Sequence, residues 1–570
     1  MNLLHPQLPP FDPNEWRTLP FPQRAAMVCR AWIEQGYGTP LVVFLLYAIK
    51  VAAYAGGFLL VAWSTPDLGG PVDIARWYSH PTAIVKAIVW SLLFEILGLG
   101  CGSGPLTARY VPPIGGFLHF LRPGTVRLPP WPGLPGATGS RRSGLDILLY
   151  LGILAASVVS LAVATPHGDH LTLLIGLVCL AGLCDKTVFL AARAEHMIVA
   201  LGLVVLAPTD AAMVAGLMGL WGALWLFAGV SKLNHHFPTV VAVMTSNSPL
   251  LPFAAPKRWM VRHFPDDLRP SRLAIVLGHL GTALEFAVPI VLVGGDDSLL
   301  PLGMGLMLLL HAYITLNVPL GVPLEWNVLM VFGGLGLFWG HPDIVLLDMC
   351  LSQAVLLGTA SVALPVLGNL FPRHVSFLPA MRYYAGNWAM SVWFFHGDAH
   401  QKLERIPKAS PWVNRQLGVF YDEKTVAGLL SKVMAFRLMH LHGRAIGLLL
   451  PQTLEESLSA YTWMDGEIVA GLALGWNFGD GHLHDEQLLH AIQERCSFAP
   501  GELRVIMVES QALGSGRHAW RILDAATGEL QAGKVSVEAL RGRQPWDLGP
   551  PEPASSRARS TRSGERTEPR

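Results

Sequence analysis

The feature that most constrains this chain is a series of apolar runs. Several approach ~20 residues with almost no charge, the length a helix needs to cross ~30 Å of hydrocarbon. Inside a bilayer every backbone polar group must find a partner within the protein, which restricts such runs to helices or closed barrels. Runs this long, without strict alternation, select helices. Of the 570 residues, 52% are hydrophobic and 14% charged, where a soluble protein carries about a quarter charged. The mean hydropathy is +0.41. An ordinary soluble globule is excluded, and an α-helical polytopic membrane bundle is expected.

Ten apolar segments can be read: 41–63, 82–101, 145–165, 171–184, 194–207, 211–231, 273–294, 299–318, 326–340 and 349–367. Lys and Arg concentrate on the cytoplasmic side of membrane proteins, and here they alternate between connections. The arm 1–40 holds Arg17, Arg24 and Arg30, and the next connection only Arg76. Arg109, Arg122, Arg127, Arg141 and Arg142 share the third, and the loop from Lys232 to Arg272 is again basic. The alternation predicts both termini in the cytoplasm and an even number of spans. No cleavable signal precedes the first run, which is expected to serve as its own insertion signal. The Pro- and Gly-rich loop Gly102–Gly144 fits either a segment lying on the membrane surface or an irregular linker.

This reading gives four regions: a cytoplasmic arm (1–40), the bundle (41–371), a cytoplasmic α+β domain (372–548) and a disordered basic tail (549–570). The aromatic stretch FLPAMRYYAGNWAMSVWFF predicts an interfacial helix at the start of the domain, since Tyr and Trp favour the headgroup level. Apolar spacing of three and four predicts a helix from Glu423 to Leu450. Thr453 and Glu456 read as a capping box opening another helix, and a short one is expected from Asp485 to Cys496. RVIMVES, AWRILDA and LQAGKVSV, separated by Gly-containing turns, predict three strands. No internal repeat is visible.

Ionisable groups inside spans are costly and usually face a bundle interior or wet cavity. At ~1.5 Å per residue, Lys50, Glu95, His279 and His311 fall in one layer, roughly 9–13 Å from the cytoplasmic face. They are the candidate catalytic residues, a histidine serving as general base near neutral pH. A Lys50–Glu95 ion pair that merely joins two helices, and neutral hydrogen-bonded imidazoles, remain the plainer alternatives. His235, His236, Glu325, Asn327 and Glu285 are candidate substrate-binding residues. Glu285 needs a partner that the sequence does not identify. Pro319 and Pro323 break the chain beside Glu325, Trp326 and Asn327, which suggests the floor of a cytoplasm-facing pocket.

The histidine pairs His396/His400, His440/His442 and His482/His484 invite a metal reading. An HLH pair within a helix points its rings about 200° apart, however, and the six cysteines lack ligand spacing. No metal is expected, and no cofactor is implied. Nothing beyond the basic tail suggests nucleic acid.

The segments MRYYAGNW (381–388), AFRLMHLHGRA (435–445), GWNFGDGHLHDEQLL (475–489), DAATGE (524–529), QPWD (544–547) and FDPNEW (11–16) resemble a family of bacterial multi-pass membrane proteins of unknown function. The resemblance covers most of the chain and implies no activity. FAGVSKL (227–233) and a later His-containing span are similar to HTTM and vitamin-K-dependent carboxylase membrane domains. That likeness hints at an enzyme-like bundle.

The leading expectation is a membrane-embedded enzyme, or an accessory to one, acting on a lipophilic substrate from the cytoplasmic leaflet. A lipid or small-molecule transporter is the alternative, as is a scaffold recruiting a soluble partner.

Overall fold

The computed structural model describes residues 2–102, 109–112, 115–166, 168–316, 324–382, 385–477 and 481–549. Helices stand at all ten expected places, and among the described residues six of these are long and apolar enough to cross a membrane. These are Leu41–Ser64, Gly144–Ala162, Asp210–Ser231, Arg272–Gly294, Asp297–Leu316 and Leu351–Leu370. The other four places hold shorter helices: Pro81–Ile96, Gly168–Cys184, Ala194–Leu206 and Leu324–Trp339. Of the ten expected crossings, six thus stand as candidate spans by length and composition. The physical reason lies in burial. Pro81–Ile96 is walled by protein along almost its whole length, so lipid does not set its length. The expected break at Pro319 and Pro323 lies outside the described residues, as does the tail beyond Gly549.

Opposite charges staple the bundle. Lys232, just past Asp210–Ser231, reaches both carboxylate oxygens of Glu285 on Arg272–Gly294 at 2.7 and 2.6 Å. This is the partner that Glu285 required. The described part of the loop after residue 102 is partly buried against the protein, while residues 131–136 are exposed. Arg127 bonds Asp146 at 2.6 Å and Arg142 bonds Asp185 at 2.7 Å, all four buried. Arg142 also lies over the Phe120 ring, 5.0 Å from its centre.

A hairpin of β1 (Val261–His263) and β2 (Asp267–Pro270) precedes the C-terminal domain. The domain is built on an antiparallel sheet of β3 (Met390–His396), β4 (Tyr461–Asp465), β5 (Leu503–Val508), β6 (Arg517–Asp524) and β7 (Gly528–Ser536). Their order is β4-β3-β5-β6-β7. The last three are the expected strands, and Glu486–Cys496 is the expected helix, capped by Asp485.

Three expectations fail here. The aromatic stretch is not an interfacial helix, because Met390–His396 runs through the sheet between two neighbours, nearly all of it buried. Nor does Thr453 open a helix; it ends Ala445–Thr453. The long helix expected from Glu423 stops at Met439, and the chain bends by 103° before continuing to Thr453. The N-terminal arm is no free extension. Helix Phe21–Gln35 buries Val28, Trp32 and Ile33 in a core shared with Met434, Leu438 and Ile446 of the domain.

The Lys232–Glu285 staple yields a direct test. Lys232→Ala leaves a buried carboxylate without its counter-ion and is expected to lower stability by about 3–5 kcal/mol. Thermal unfolding in detergent should register the loss. Joint replacement of Lys232 and Glu285 by Met should recover most of it.

Candidate functional site

The chain turns sharply where helix Pro81–Ile96 ends. Gly98 adopts a φ of +73°, and a Cβ at Gly100 would meet Glu95 Oε2 and Glu325 Oε1, each at 2.6 Å. Only glycine lets the backbone pass so near two carboxyl groups. The Cys101 N–H donates to both oxygens of Glu325 at 2.9 and 3.0 Å. Glu95 and Glu325 are hydrogen-bonded to each other. A hydrogen bond between two carboxyl groups needs a proton. Lys50 Nζ donates to the Gly100 carbonyl at 3.0 Å and acts electrostatically on both carboxyls. Arg193, whose charge also acts on Glu95, lies over Trp326 at 5.1 Å and 3.9 Å from Glu195. His196 Nε2 is 3.8 Å from Glu195. Two cations, Lys50 and Arg193, thus lie near the carboxyl pair and Glu195.

The sequence-derived candidates divide accordingly. Lys50, Glu95 and Glu325 come together. His311 and Asn327 form a neighbouring chain in which Trp225 Nε1–H donates to His311 Nε2 at 3.0 Å. His311 Nδ1–H therefore donates to Asn327 Oδ1, at 2.8 Å. Both ring nitrogens are occupied, an arrangement that ties three helices together. Glu285 is held by Lys232, apart from that cluster. His279 is exposed on the outer side of Arg272–Gly294, near enough to exposed His235 for their charges to interact.

Beside the carboxyl pair lies a cavity of about 380 Å³ between the start of the first span and the C-terminal domain. Its walls include Val43, Leu46, Tyr47, Leu417, Leu430 and Phe436. Tyr47 is shared: it lines the cavity and packs against Cys101 and Leu324. One tyrosine thus separates an apolar chamber from the polar cluster. The cavity also has charged lining. Arg437 Nη2 donates to Asp465 and Glu467 at 2.8 and 2.7 Å, while its Nε also reaches Asp465. Arg109 donates through Nη2 to the Gly471 carbonyl. Burial pulls its guanidinium down to about 9, still charged at neutral pH.

A second cluster was not legible in the sequence. His236, from the loop after Asp210–Ser231, meets His440, His442 and His518 of the domain. His518 Nδ1–H donates to the Glu509 carbonyl at 2.7 Å, leaving its Nε2 to accept from His236 Nε2–H at 3.1 Å. The His442 ring lies 5.7 Å from His236 and 5.9 Å from His518. The HLH pair pointed here, but His518 carried no signal of its own. Among the described residues no three His, Cys, Asp or Glu side chains are placed to hold a metal ion.

Residues 1–556 match the model of a family described as "Transmembrane protein of unknown function (DUF3556)", and the chain belongs to that family. No curated protein and no solved structure matches it. The partial likeness to HTTM and carboxylase membrane domains finds no support.

Burial keeps all four clustered imidazoles neutral, drawing His440 and His518 from the usual 6.5 down to about 4. His236 and His442 shift the same way, each further lowered by its histidine neighbours. The unfolded chain takes up protons first as pH falls, so stability is complete above 6.5 and declines towards about 4. Melting temperatures in detergent should follow that profile. His442→Leu, removing a ring whose nitrogens have no partner among the described residues, should make the decline shallower.

Proposed function

We propose that the protein is a membrane-embedded enzyme, or the membrane partner of one, acting on a lipophilic substrate taken from the cytoplasmic leaflet of a bacterial inner membrane. One observation carries this reading: an apolar cavity at the start of the first span, separated by Tyr47 from a buried acid pair. Pockets for small molecules are typically ~300–1,000 Å³ and mostly apolar, with a few polar groups that fix orientation. The Lys and Arg asymmetry of the connections supports a cytoplasmic opening.

In this reading Glu95 and Glu325 serve as proton donor and acceptor. Two carboxyls that share one proton are divided between the two roles that acid–base chemistry needs. Lys50 stabilises negative charge developing beside them. Cys101 N–H aims Glu325, and the His311–Asn327 bond holds the helix that carries it. His235, His236, His279 and Glu285 act outside this chemistry.

Lipid profiling of a deletion strain tests the reading, with complementation by Glu95→Gln, Glu325→Gln and the cavity-filling Val43→Trp. Each variant, present at normal level in the membrane, should leave the same lipophilic species accumulated. Wild-type profiles with all three would overturn the reading.

A further inference from the structure

The cavity holds an unbalanced charge. Arg109 is 1% exposed and lines the chamber. Its Nε and Nη1 have no hydrogen-bond partner among the described residues. A buried guanidinium stays protonated, and leaving a charge uncompensated in an apolar interior costs several kcal/mol. The other cation of the chamber, Arg437, is already held by Asp465 and Glu467. Burial alone acts on Arg109, with no described carboxylate near enough to offset its charge. A second unfilled valence lies on the same wall: the Tyr47 hydroxyl is buried without a partner among the described residues.

We propose that Arg109 is the anchor for the anionic head of a single-chain amphiphile, a fatty carboxylate or an alkyl phosphate. This rests on the reading of the chamber as a lipophile site and names the class of molecule. The chain lies along Val43, Leu46, Leu430 and Phe436, and the head accepts from Arg109. Charge-assisted hydrogen bonds from arginine to carboxylate or phosphate are about twice as strong as neutral ones. Arg109 has two donors unused, and an anion of either kind offers at least two oxygens. A volume of about 380 Å³ is near the lower end of the usual ligand range, which favours one chain over two. Pro40, Val42 and Val43, which line the chamber, lie at the start of a candidate span whose side chains are mostly not covered by protein. A molecule already in the leaflet reaches the chamber without crossing water.

Equilibrium binding to the full-length protein in neutral detergent tests this, with palmitate, dodecyl phosphate and hexadecanol as probes. Wild-type protein should retain at least one anion at least about tenfold more tightly than the alcohol, the smallest gain expected from a hydrogen bond to a charged group. Preference for palmitate identifies a carboxylate ligand, and preference for dodecyl phosphate a phosphate ester. Arg109→Gln should erase the gap while leaving hexadecanol unchanged, and Val43→Trp should weaken every probe. The comparison of anion with alcohol on wild-type protein decides the matter even if Arg109→Gln fails to fold. Equal binding of all three, still sensitive to Val43→Trp, overturns the anionic ligand and keeps the lipophile site. Binding insensitive to Val43→Trp overturns both.

Discussion

A charge withdrawn from water must find a counter-charge or a proton, and this rule organises the structure. Arg127–Asp146, Arg142–Asp185 and Lys232–Glu285 each join segments that lie apart in sequence. Removing one member strands the other, whereas replacing both with well-packed apolar residues is often neutral. Such pairs therefore act as registers: they state which helix faces which. Arg437 with Asp465 and Glu467 does the same for the domain, linking helix Glu423–Met439 to the end of β4.

Function is sought where this pairing is least complete. The Glu95–Glu325 pair is closed by a proton rather than a second cation, and a proton can be moved. Arg109 meets the Gly471 carbonyl through Nη2, but no described group takes its Nε and Nη1, so a ligand has something to supply. Arg109 lines the chamber, and Tyr47, on its wall, packs against Cys101 beside the acid pair. The histidine cluster works by another route, keeping its rings neutral through burial where the bundle meets the sheet. Acidification therefore loosens that junction.

The apolar spans were legible because their length is fixed by the bilayer and needs no tertiary information. Strands β5, β6 and β7 were legible because Gly-containing turns separate them, though β5 is the central strand of the sheet. β3 was not. Buried along nearly its whole length, it reads as a continuous aromatic run, which sequence alone cannot distinguish from an interfacial helix. Depth counting brought Lys50 and Glu95 to one level, but depth says nothing about which face of a helix a residue occupies. His279 shows the consequence. Gly278, Thr282, Glu285 and Leu292 form the buried stripe of that span, and His279 lies about 100° from it. Partners such as Lys232 for Glu285, or His518 for His236, depend on tertiary contacts between distant segments, and no local pattern announces them. Arg109 registered only as a loop charge, since its isolation is a property of the folded chamber.

The most direct measurement is an infrared spectrum of the detergent-purified protein at neutral pH, compared with Glu95→Gln and Glu325→Gln. Carboxyls that share a proton give a protonated C=O band in the wild type that shifts or vanishes in both variants. A wild-type spectrum without that band, or one that neither substitution changes, would mean that the two acids do not hold a common proton. The buried acid pair would then have no part in any chemistry of this site.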